Sequence, residues 1–108
     1  MKIGIDMVEI RRIRKLISKP NFLEKFFTAY EINYCERFKR KDERYAARFA
    51  AKEAYIKCVS SKKIPPMKSI EVRNTSYGKP QLYVYGKKVR CSLSITHCGD
   101  YAIAVCVL

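Results

Sequence analysis

The spacing of hydrophobic and polar positions changes along the chain. Over residues 1–8 apolar side chains alternate and several are β-branched, which predicts a first strand. From Glu9 onward the period becomes helical, with basic residues on the other faces. The apolar positions of this predicted helix are Ile10, Ile13, Leu16 and Ile17. Residues 18–21, of sequence SKPN, are expected to end it.

Two capping patterns predict where the next helices begin. Thr28 is followed three residues later by Glu31, the arrangement of a capping box in which each side chain bonds the other residue's amide. We expect the helix that it opens to run to about Phe38. Asp42 is predicted to cap a long helix over residues 43–58, which is rich in alanine and free of glycine and proline.

The second half of the chain predicts strands. After the break at Pro65 and Pro66, β-type segments are separated by turns that contain glycine. The segments are residues 70–72, 81–85, 91–96 and 101–108, with turns at 74–78, 86–87 and 98–100. One strand followed by helices and then an antiparallel β meander makes an α+β fold. We expect a single domain over residues 1–108.

The charge of the chain is strongly positive. The 108 residues include 23 Lys and Arg against 10 Asp and Glu, a net charge of +13. Residues 1–63 carry 17 basic and 8 acidic side chains, with basic clusters at 11–15 and 39–41. A hydrophobic content of 48% excludes a disordered basic tail. The excess therefore implies a polyanionic partner: nucleic acid, an anionic membrane, a phosphorylated small molecule or an acidic protein.

The lengths of the apolar runs and the spacing of the cysteines indicate where in the cell the protein is found. No run approaches the roughly 18–20 residues of a membrane span, and residues 1–6 do not resemble a signal peptide. The five cysteines show no C-x-x-C spacing, so neither a disulfide framework nor a zinc site is expected. Cys98 follows His97, but neighbours on a strand point to opposite faces and would not pair. We predict a cytoplasmic protein with reduced thiols.

Two carboxylates occupy positions where an unpaired charge is costly. Asp6 lies in an otherwise apolar strand, and Glu53 lies in mid-helix beside small residues. Lys57, four residues after Glu53, shares its helix face. The residues alone leave two interpretations. One is a Glu53–Lys57 salt bridge on a solvated face. The other is a site in which Asp6 and Glu53 bind Mg²⁺ and Lys57 faces a phosphate.

Five motifs occur in one order along the chain. They are IGIDMVEI at 3–10, FTAYE at 27–31, RFAAKEAYIK at 48–57, GKP at 78–80, and SITH at 94–97 followed by YAIA at 101–104. In this order and spacing the chain resembles the holo-acyl-carrier-protein synthases, the short trimeric class of the 4′-phosphopantetheinyl transferase superfamily. The resemblance covers residues 3–108.

The resemblance implies a reaction and a metal. A serine of apo acyl carrier protein attacks the β-phosphate of coenzyme A, accepts 4′-phosphopantetheine and releases adenosine 3′,5′-bisphosphate. Asp6 and Glu53 match the two residues that bind Mg²⁺ in the family. Lys57 matches a lysine near the phosphates, which could add charge or a proton to the leaving group. For the serine proton, Glu53 or a metal-bound water is the candidate acceptor.

The resemblance also implies the binding residues and the assembly. The residues matched to coenzyme A binding are Arg48, Lys57, Ser61, Gly78, Lys79, Pro80, Thr96 and His97. Among these, Arg48 and His97 match contacts to the nucleotide end, including its 3′-phosphate. The basic first helix matches the surface that grips the acidic carrier protein, at Arg11, Arg12 and Lys15. The family is homotrimeric, with sites at subunit interfaces, and serves fatty acid biosynthesis.

Two segments depart from the family pattern. The family has a glycine-rich turn after the long helix, where this chain has Ser60 and Ser61 among other residues without glycine. Their hydroxyls and amides could still meet a phosphate, but the close backbone approach that glycine permits is lost. The segment around residues 86–88 is shorter than in many relatives. Neither departure involves the two metal-binding acids.

Two other functions remain open at this level. The net charge and the eight tyrosines are compatible with a small basic nucleic-acid-binding module, although no RNP, KH or helix-turn-helix pattern is present. An inactive trimeric relative would share the fold and lack the transfer activity.

Overall fold

The computed structural model describes residues 1–59 and 63–108. Helices dominate the first half and strands the second, so the predicted α+β class is confirmed. The elements are β1 (Ile3–Glu9), α1 (Ile10–Ile17), α2 (Phe22–Phe26), α3 (Ala29–Cys35), α4 (Lys41–Cys58), a 3₁₀ turn (Met67–Ser69), β2 (Ile70–Asn74), β3 (Pro80–Val84), β4 (Lys87–Lys88), β5 (Ser92–Cys98) and β6 (Tyr101–Val107).

The strands form two separate antiparallel sheets. The larger has the order β1-β6-β5, so the first strand of the chain pairs with the last, from Ile3 opposite Val107 to Glu9 opposite Tyr101. The smaller contains β2, β3 and β4. The antiparallel strands of the second half were predicted, but their division into two sheets was not.

Helix α4 lies against the inner face of the larger sheet. All of its alanines except Ala47 are fully buried, together with small residues of β6, because small side chains let a helix approach a sheet closely. The buried small residues are Ala46, Ala50, Ala51 and Ala54 of α4 and Ala102, Ala104 and Cys106 of β6. This close packing places β1 beside the second half of α4.

Several predicted element boundaries were wrong, including the ends of β2 and β5, which run to Asn74 and Cys98. Helix α3 ends at Cys35 and not near Phe38. Asp42 lies inside the first turn of α4 and does not cap it; its carboxylate accepts hydrogen bonds from Arg14 Nε at 2.7 Å and from the Glu43 amide at 3.0 Å. The β3–β4 turn lies at residues 85–86, both with positive φ (50° and 78°), as in a two-residue hairpin turn.

The capping box at α3 is confirmed, and its glutamate does more than cap. The Thr28 amide donates to Glu31 Oε1 at 3.0 Å, and the Glu31 amide donates to Thr28 Oγ1 at 3.3 Å. Glu31 is fully buried and its second carboxylate oxygen accepts the Val72 amide of β2 at 2.9 Å. It also forms an ion pair with Lys52 of α4, which is equally buried.

Lys52 uses its remaining donors on two backbone carbonyls. Its Nζ donates to Phe26 O at 2.7 Å and to Met67 O at 3.2 Å. The Glu31–Lys52 pair therefore joins α2, α3, α4 and the start of the small sheet. Burial raises the pKa of the Glu31 carboxyl, and the Lys52 charge is the strongest of the groups that oppose this rise.

We predict that Lys52→Met destabilises the protein by about 3–5 kcal/mol, because it leaves a buried carboxylate without its counter-ion. The pKa of Glu31 in the folded protein then rises further above its unfolded-state value. The protein therefore loses stability as the pH rises from the unfolded-state pKa through the folded-state pKa. Urea denaturation should therefore show a deficit that is largest near about pH 8 and shrinks toward about pH 5.

The matched control is the double variant Lys52→Met/Glu31→Gln, which has no buried charge at this position. It should be more stable than Lys52→Met alone at neutral pH. A deficit of Lys52→Met that does not change with pH would contradict the account of Glu31.

Candidate active site

Asp6 and Lys57 meet where β1 crosses the last turn of α4. Lys57 Nζ lies 3.1 Å from Asp6 Oδ1 and donates to Ile5 O at 2.9 Å. The Asp6 side chain is 15% exposed and the Lys57 side chain 53% exposed. Among the residues that the structure describes, the ion pair of Lys57 is thus with Asp6. The interpretation of a Glu53–Lys57 salt bridge was wrong.

Gly4 sets how close the strand and the helix come. A Cβ placed on Gly4 would lie 1.9 Å from Ala54 O and 3.0 Å from the Cys58 amide nitrogen. Only glycine fits at this crossing. Because Asp6 and Gly4 lie on the same face of β1, the close approach also brings the Asp6 carboxylate to α4.

Glu53 completes an acidic pair beside Lys57. Burial raises the pKa of the Glu53 carboxyl, and the negative charge of Asp6 raises it further. The positive charges of Lys57 and Arg12 oppose this rise. Glu53 thus feels the negative charge of Asp6 and the positive charges of Lys57 and Arg12, and these four side chains form one charged cluster.

The donor set fits a hard divalent cation that is shared with a phosphorylated ligand. Two carboxylates supply oxygen, the ligand atom that magnesium prefers. After burial, repulsion by Asp6 is the next cause of the raised pKa of Glu53, and a cation between the two carboxylates would relieve that repulsion. Over residues 1–59 and 63–108, no group of three or more His, Cys, Asp or Glu is placed to hold a metal. One or two carboxylates completed by substrate phosphates are typical of magnesium sites.

A basic cavity of about 430 Å³ opens on another side of the same helix. Five residues predicted for coenzyme A binding line it: Arg48, Gly78, Pro80, Thr96 and His97. They come from α4, from the turn between β2 and β3, from the start of β3 and from β5. The structure therefore brings together residues that are far apart in the sequence, from Arg48 to His97.

Arg48 is the most constrained side chain of this cavity. It is 4% exposed, and its guanidinium carbon lies 4.1 Å from the centre of the Tyr34 ring. Its Nη2 donates to Asn74 Oδ1, while its Nε has no hydrogen-bond partner. In the described part of the chain, this Nε is the one buried side-chain polar atom without a partner. A buried donor without a partner needs an explanation, and a ligand acceptor bound at the cavity would supply one.

The sequence analysis missed several residues of the cavity. They are Tyr34, Phe38, Lys39, Arg40, Glu43, Arg44, Ala47, Asn74 and Ile95. Arg44 stacks on the Phe38 ring, with 4.2 Å from the guanidinium carbon to the ring centre. The i, i+4 spacing of Arg44 and Arg48 on α4 was the available signal, since it puts both guanidinium groups on one helix face. Lys39 and Arg40, from the basic cluster at 39–41, border this cavity.

The remaining predicted site residues lie elsewhere. Lys79 borders a different recess, beside Leu93 of β5 and Val105 of β6. Ser61 lies outside the described residues. The residues matched to carrier-protein binding are all exposed on α1: Arg11, Arg12 and Lys15.

The cavity and the acidic pair lie on different faces of α4. Arg48 and Glu53 are five residues apart, which is a rotation of about 140° around a helix axis. None of Asp6, Glu53 and Lys57 lines the cavity. Within one chain, the two groups of predicted site residues therefore do not face each other.

Comparison with known proteins identifies the family. Residues 2–106 match the model of the 4′-phosphopantetheinyl transferase superfamily. The chain is 40% identical to a holo-[acyl-carrier-protein] synthase of Thermodesulfovibrio yellowstonii, over 98% of this chain and 96% of that one. It is 41% identical to the protein of that name from Halothermothrix orenii, over 97% and 94%.

Solved structures of holo-[acyl-carrier-protein] synthases are also similar to this chain. A holo-(acyl-carrier-protein) synthase from Bacillus anthracis, in complex with CoA (3′,5′-ADP), has a TM-score of 0.86 at 39% identity and is matched over 98% of this chain and 93% of that one. A holo-[acyl-carrier-protein] synthase from Helicobacter pylori in complex with coenzyme A has a TM-score of 0.79 at 32% identity, with 97% of each chain covered.

The chain therefore belongs to the 4′-phosphopantetheinyl transferase superfamily. Within it, the chain falls with the holo-[acyl-carrier-protein] synthases, which are enzymes. This membership decides against the nucleic-acid-binding module as an explanation of the basic charge.

We predict that Gly4→Ala destabilises the protein by about 3 kcal/mol or more, because the added Cβ must push α4 away from β1. Thermal unfolding followed by circular dichroism measures the effect. Ile3→Ala, on the opposite face of the same strand, is the control and should cost much less. A Gly4→Ala variant as stable as the Ile3→Ala variant would contradict the close packing at this crossing.

Proposed function

We propose that this protein transfers 4′-phosphopantetheine from coenzyme A to a serine of an apo acyl carrier protein. The serine oxygen bonds to the β-phosphorus of coenzyme A, and the bond from that phosphorus to the bridging oxygen breaks. Adenosine 3′,5′-bisphosphate leaves, and the serine proton passes to an acceptor. The role in fatty acid biosynthesis and the cytoplasmic location stay predictions from the resemblance.

The single observation that carries the proposal is the basic cavity around Arg48. It collects residues of three separate motifs, and relatives that match this chain almost from end to end were solved with coenzyme A. Its buried guanidinium has a free donor and a stacked aromatic ring. This is the chemistry that recognises a phosphate group.

We assign Mg²⁺ to Asp6 and Glu53 on the basis of their donor chemistry. When bound, the ion supplies positive charge to the pyrophosphate of coenzyme A and so stabilises the negative charge that develops on the leaving group. Lys57, held beside Asp6 by its bond to Ile5 O, adds a fixed positive charge at the same place.

Glu53 is our candidate acceptor for the serine proton. The Glu53 side chain is half-buried, and it is close enough to Arg12 for the positive charge of Arg12 to oppose the rise in its pKa. Arg12 belongs to α1, whose exposed basic residues are Arg11, Arg12 and Lys15. An acidic carrier protein that docks on α1 would therefore bring its serine close to Glu53, and the opposite charges would accelerate its association.

We propose that the protein assembles as a homotrimer whose sites lie between subunits. The outer face of the larger sheet supports this, because Ile3, Ile5 and Met7 of β1 are each more than half exposed in one chain. Contiguous exposed apolar surface of this kind marks a protein interface. Two chains are also needed to place a cavity opposite an acidic pair, since these lie on different faces of α4.

Transfer is tested by incubating the protein with apo acyl carrier protein, coenzyme A and Mg²⁺. The mass of the carrier protein is then measured by mass spectrometry. We expect a mass gain of one 4′-phosphopantetheine group. Absence of this gain across varied metals and pH would refute the proposed function and favour an inactive relative. EDTA should suppress the gain and added Mg²⁺ should restore it.

In the same assay, Asp6→Asn and Glu53→Ala should each lower kcat by at least about a hundredfold, the loss typical of a removed transition-state charge contact. Circular dichroism should show both variants folded. Glu24→Gln, an exposed acid of α2, is the control and should keep wild-type activity. Unchanged transfer by Glu53→Ala would refute the metal assignment.

Subunit-shared sites predict that two defective variants rescue each other at a coenzyme A concentration too low for Arg48→Ala alone to act. When Asp6→Asn and Arg48→Ala chains are refolded together in equal amounts, about a quarter of the sites should combine an intact acidic pair with an intact cavity. Transfer should return to about a quarter of the wild-type rate, and sedimentation should give three times the 12.6 kDa mass of one chain.

The control mixes Asp6→Asn with Glu53→Ala, which damage the same half of the site. It should show no rescue, because every combination retains a defective acidic pair. If mixed Asp6→Asn and Arg48→Ala trimers form and stay inactive, sites shared between subunits are disproved.

A further inference from the structure

Asn74 connects two sides of the basic cavity. It is the last residue of β2, and its side chain makes two hydrogen bonds of opposite polarity. Its Oδ1 accepts from Arg48 Nη2 of α4, and its Nδ2 donates to Gly78 O at 3.0 Å in the turn before β3. The second bond fixes which end of the amide faces Arg48.

The turn that Asn74 holds is itself well ordered by hydrogen bonds. The Gly78 amide donates to Thr75 O at 2.8 Å, and the Thr75 amide donates to Lys79 O at 2.8 Å. The Lys79 amide donates to Thr75 Oγ1 at 3.1 Å. A side chain bonded to this turn is therefore bonded to a fixed point.

Arg48 is consequently constrained from two directions. The Tyr34 ring covers one face of its guanidinium, and Asn74 occupies Nη2. The Nε is left as a buried donor with no partner. A guanidinium has donors in a rigid planar fork, so fixing the plane and one donor fixes the direction of the others.

We propose that Asn74 is a positioning residue for coenzyme A: it holds Arg48 in the orientation that binds the 3′-phosphate at the nucleotide end. This inference rests on the proposed function, which places that phosphate at Arg48. Asn74 acts through Arg48, so its removal weakens binding only of ligands that carry the 3′-phosphate.

The experiment compares Asn74→Ala with the wild type on coenzyme A and on 3′-dephospho-coenzyme A. For coenzyme A we expect the KM of Asn74→Ala to be about tenfold higher than that of the wild type, which is the effect of losing one charge-assisted hydrogen bond. We expect its kcat to stay within about twofold of the wild-type value. For 3′-dephospho-coenzyme A, both constants should stay within about twofold of the wild type. Asn33→Ala, an exposed asparagine of α3, is the control and should change neither substrate's constants.

A double-variant cycle separates positioning from a structural role. Arg48→Ala alone should raise KM for coenzyme A, and adding Asn74→Ala should raise it no further, because the group through which Asn74 acts is gone. Equal losses on both substrates, independent additive effects, or no effect of Asn74→Ala would each overturn the proposal. If Asn74→Ala does not fold, Asn74→Asp gives the same readout, since its carboxylate competes with the phosphate for Arg48.

Calorimetric titration keeps this inference separate from the transfer activity. Asn74→Ala should bind adenosine 3′,5′-bisphosphate about tenfold more weakly than the wild type and bind adenosine 5′-monophosphate equally well. This result would support the role of Asn74 even if no transfer were observed. Equal binding of the bisphosphate by both proteins would overturn it even if transfer were normal.

Discussion

The buried ion pair of Glu31 and Lys52 is the constraint on which the rest of the fold depends. Each partner satisfies backbone groups as well as the other's charge, so α2, α3, α4 and the segment that leads into the small sheet share one polar centre. An apolar residue at either position could fill the volume but could not bond these amides and carbonyls. Lys52 directly precedes Glu53 on α4, so fixing its side chain sets the rotation of the helix that carries both halves of the site.

The electrostatics of α4 explain how one helix serves two opposite tasks. Its first half exposes guanidinium groups to a cavity suited to phosphate, and its last turns place Glu53 and Lys57 beside Asp6. A rotation of about 140° between Arg48 and Glu53 keeps the guanidinium from neutralising the carboxylate. Part of the positive charge of the chain is accordingly placed at the cavity, at Lys57 and on the exposed residues of α1.

Local sequence signals predicted the local structure well. The capping box at Thr28 and Glu31, the long alanine-rich helix and the antiparallel strands all depend on residues close in sequence, and the structure has them. Asp42 was wrongly expected to cap α4 because its strongest partner, Arg14, is 28 residues away. The same limit explains why Asn74 was missed: its importance comes from a contact with Arg48 across the fold, and no local pattern records it. Likewise, spacing paired Lys57 with Glu53, whereas the crossing of β1 at Gly4 supplies Asp6.

The placement of the acidic pair and the cavity on different faces of α4 decides how many complete sites an assembly contains. Each chain carries an acidic pair on one face of α4 and a cavity on another. If the acidic pair of one chain meets the cavity of the next, the same contact can be repeated from chain to chain. Two chains joined in this way would complete one site and leave one acidic pair and one cavity unused. In the proposed trimer, closure of the ring leaves no half unmatched, so three chains give three sites and each chain is used twice. Dilution would then inactivate the protein without any change in the conformation of a single chain.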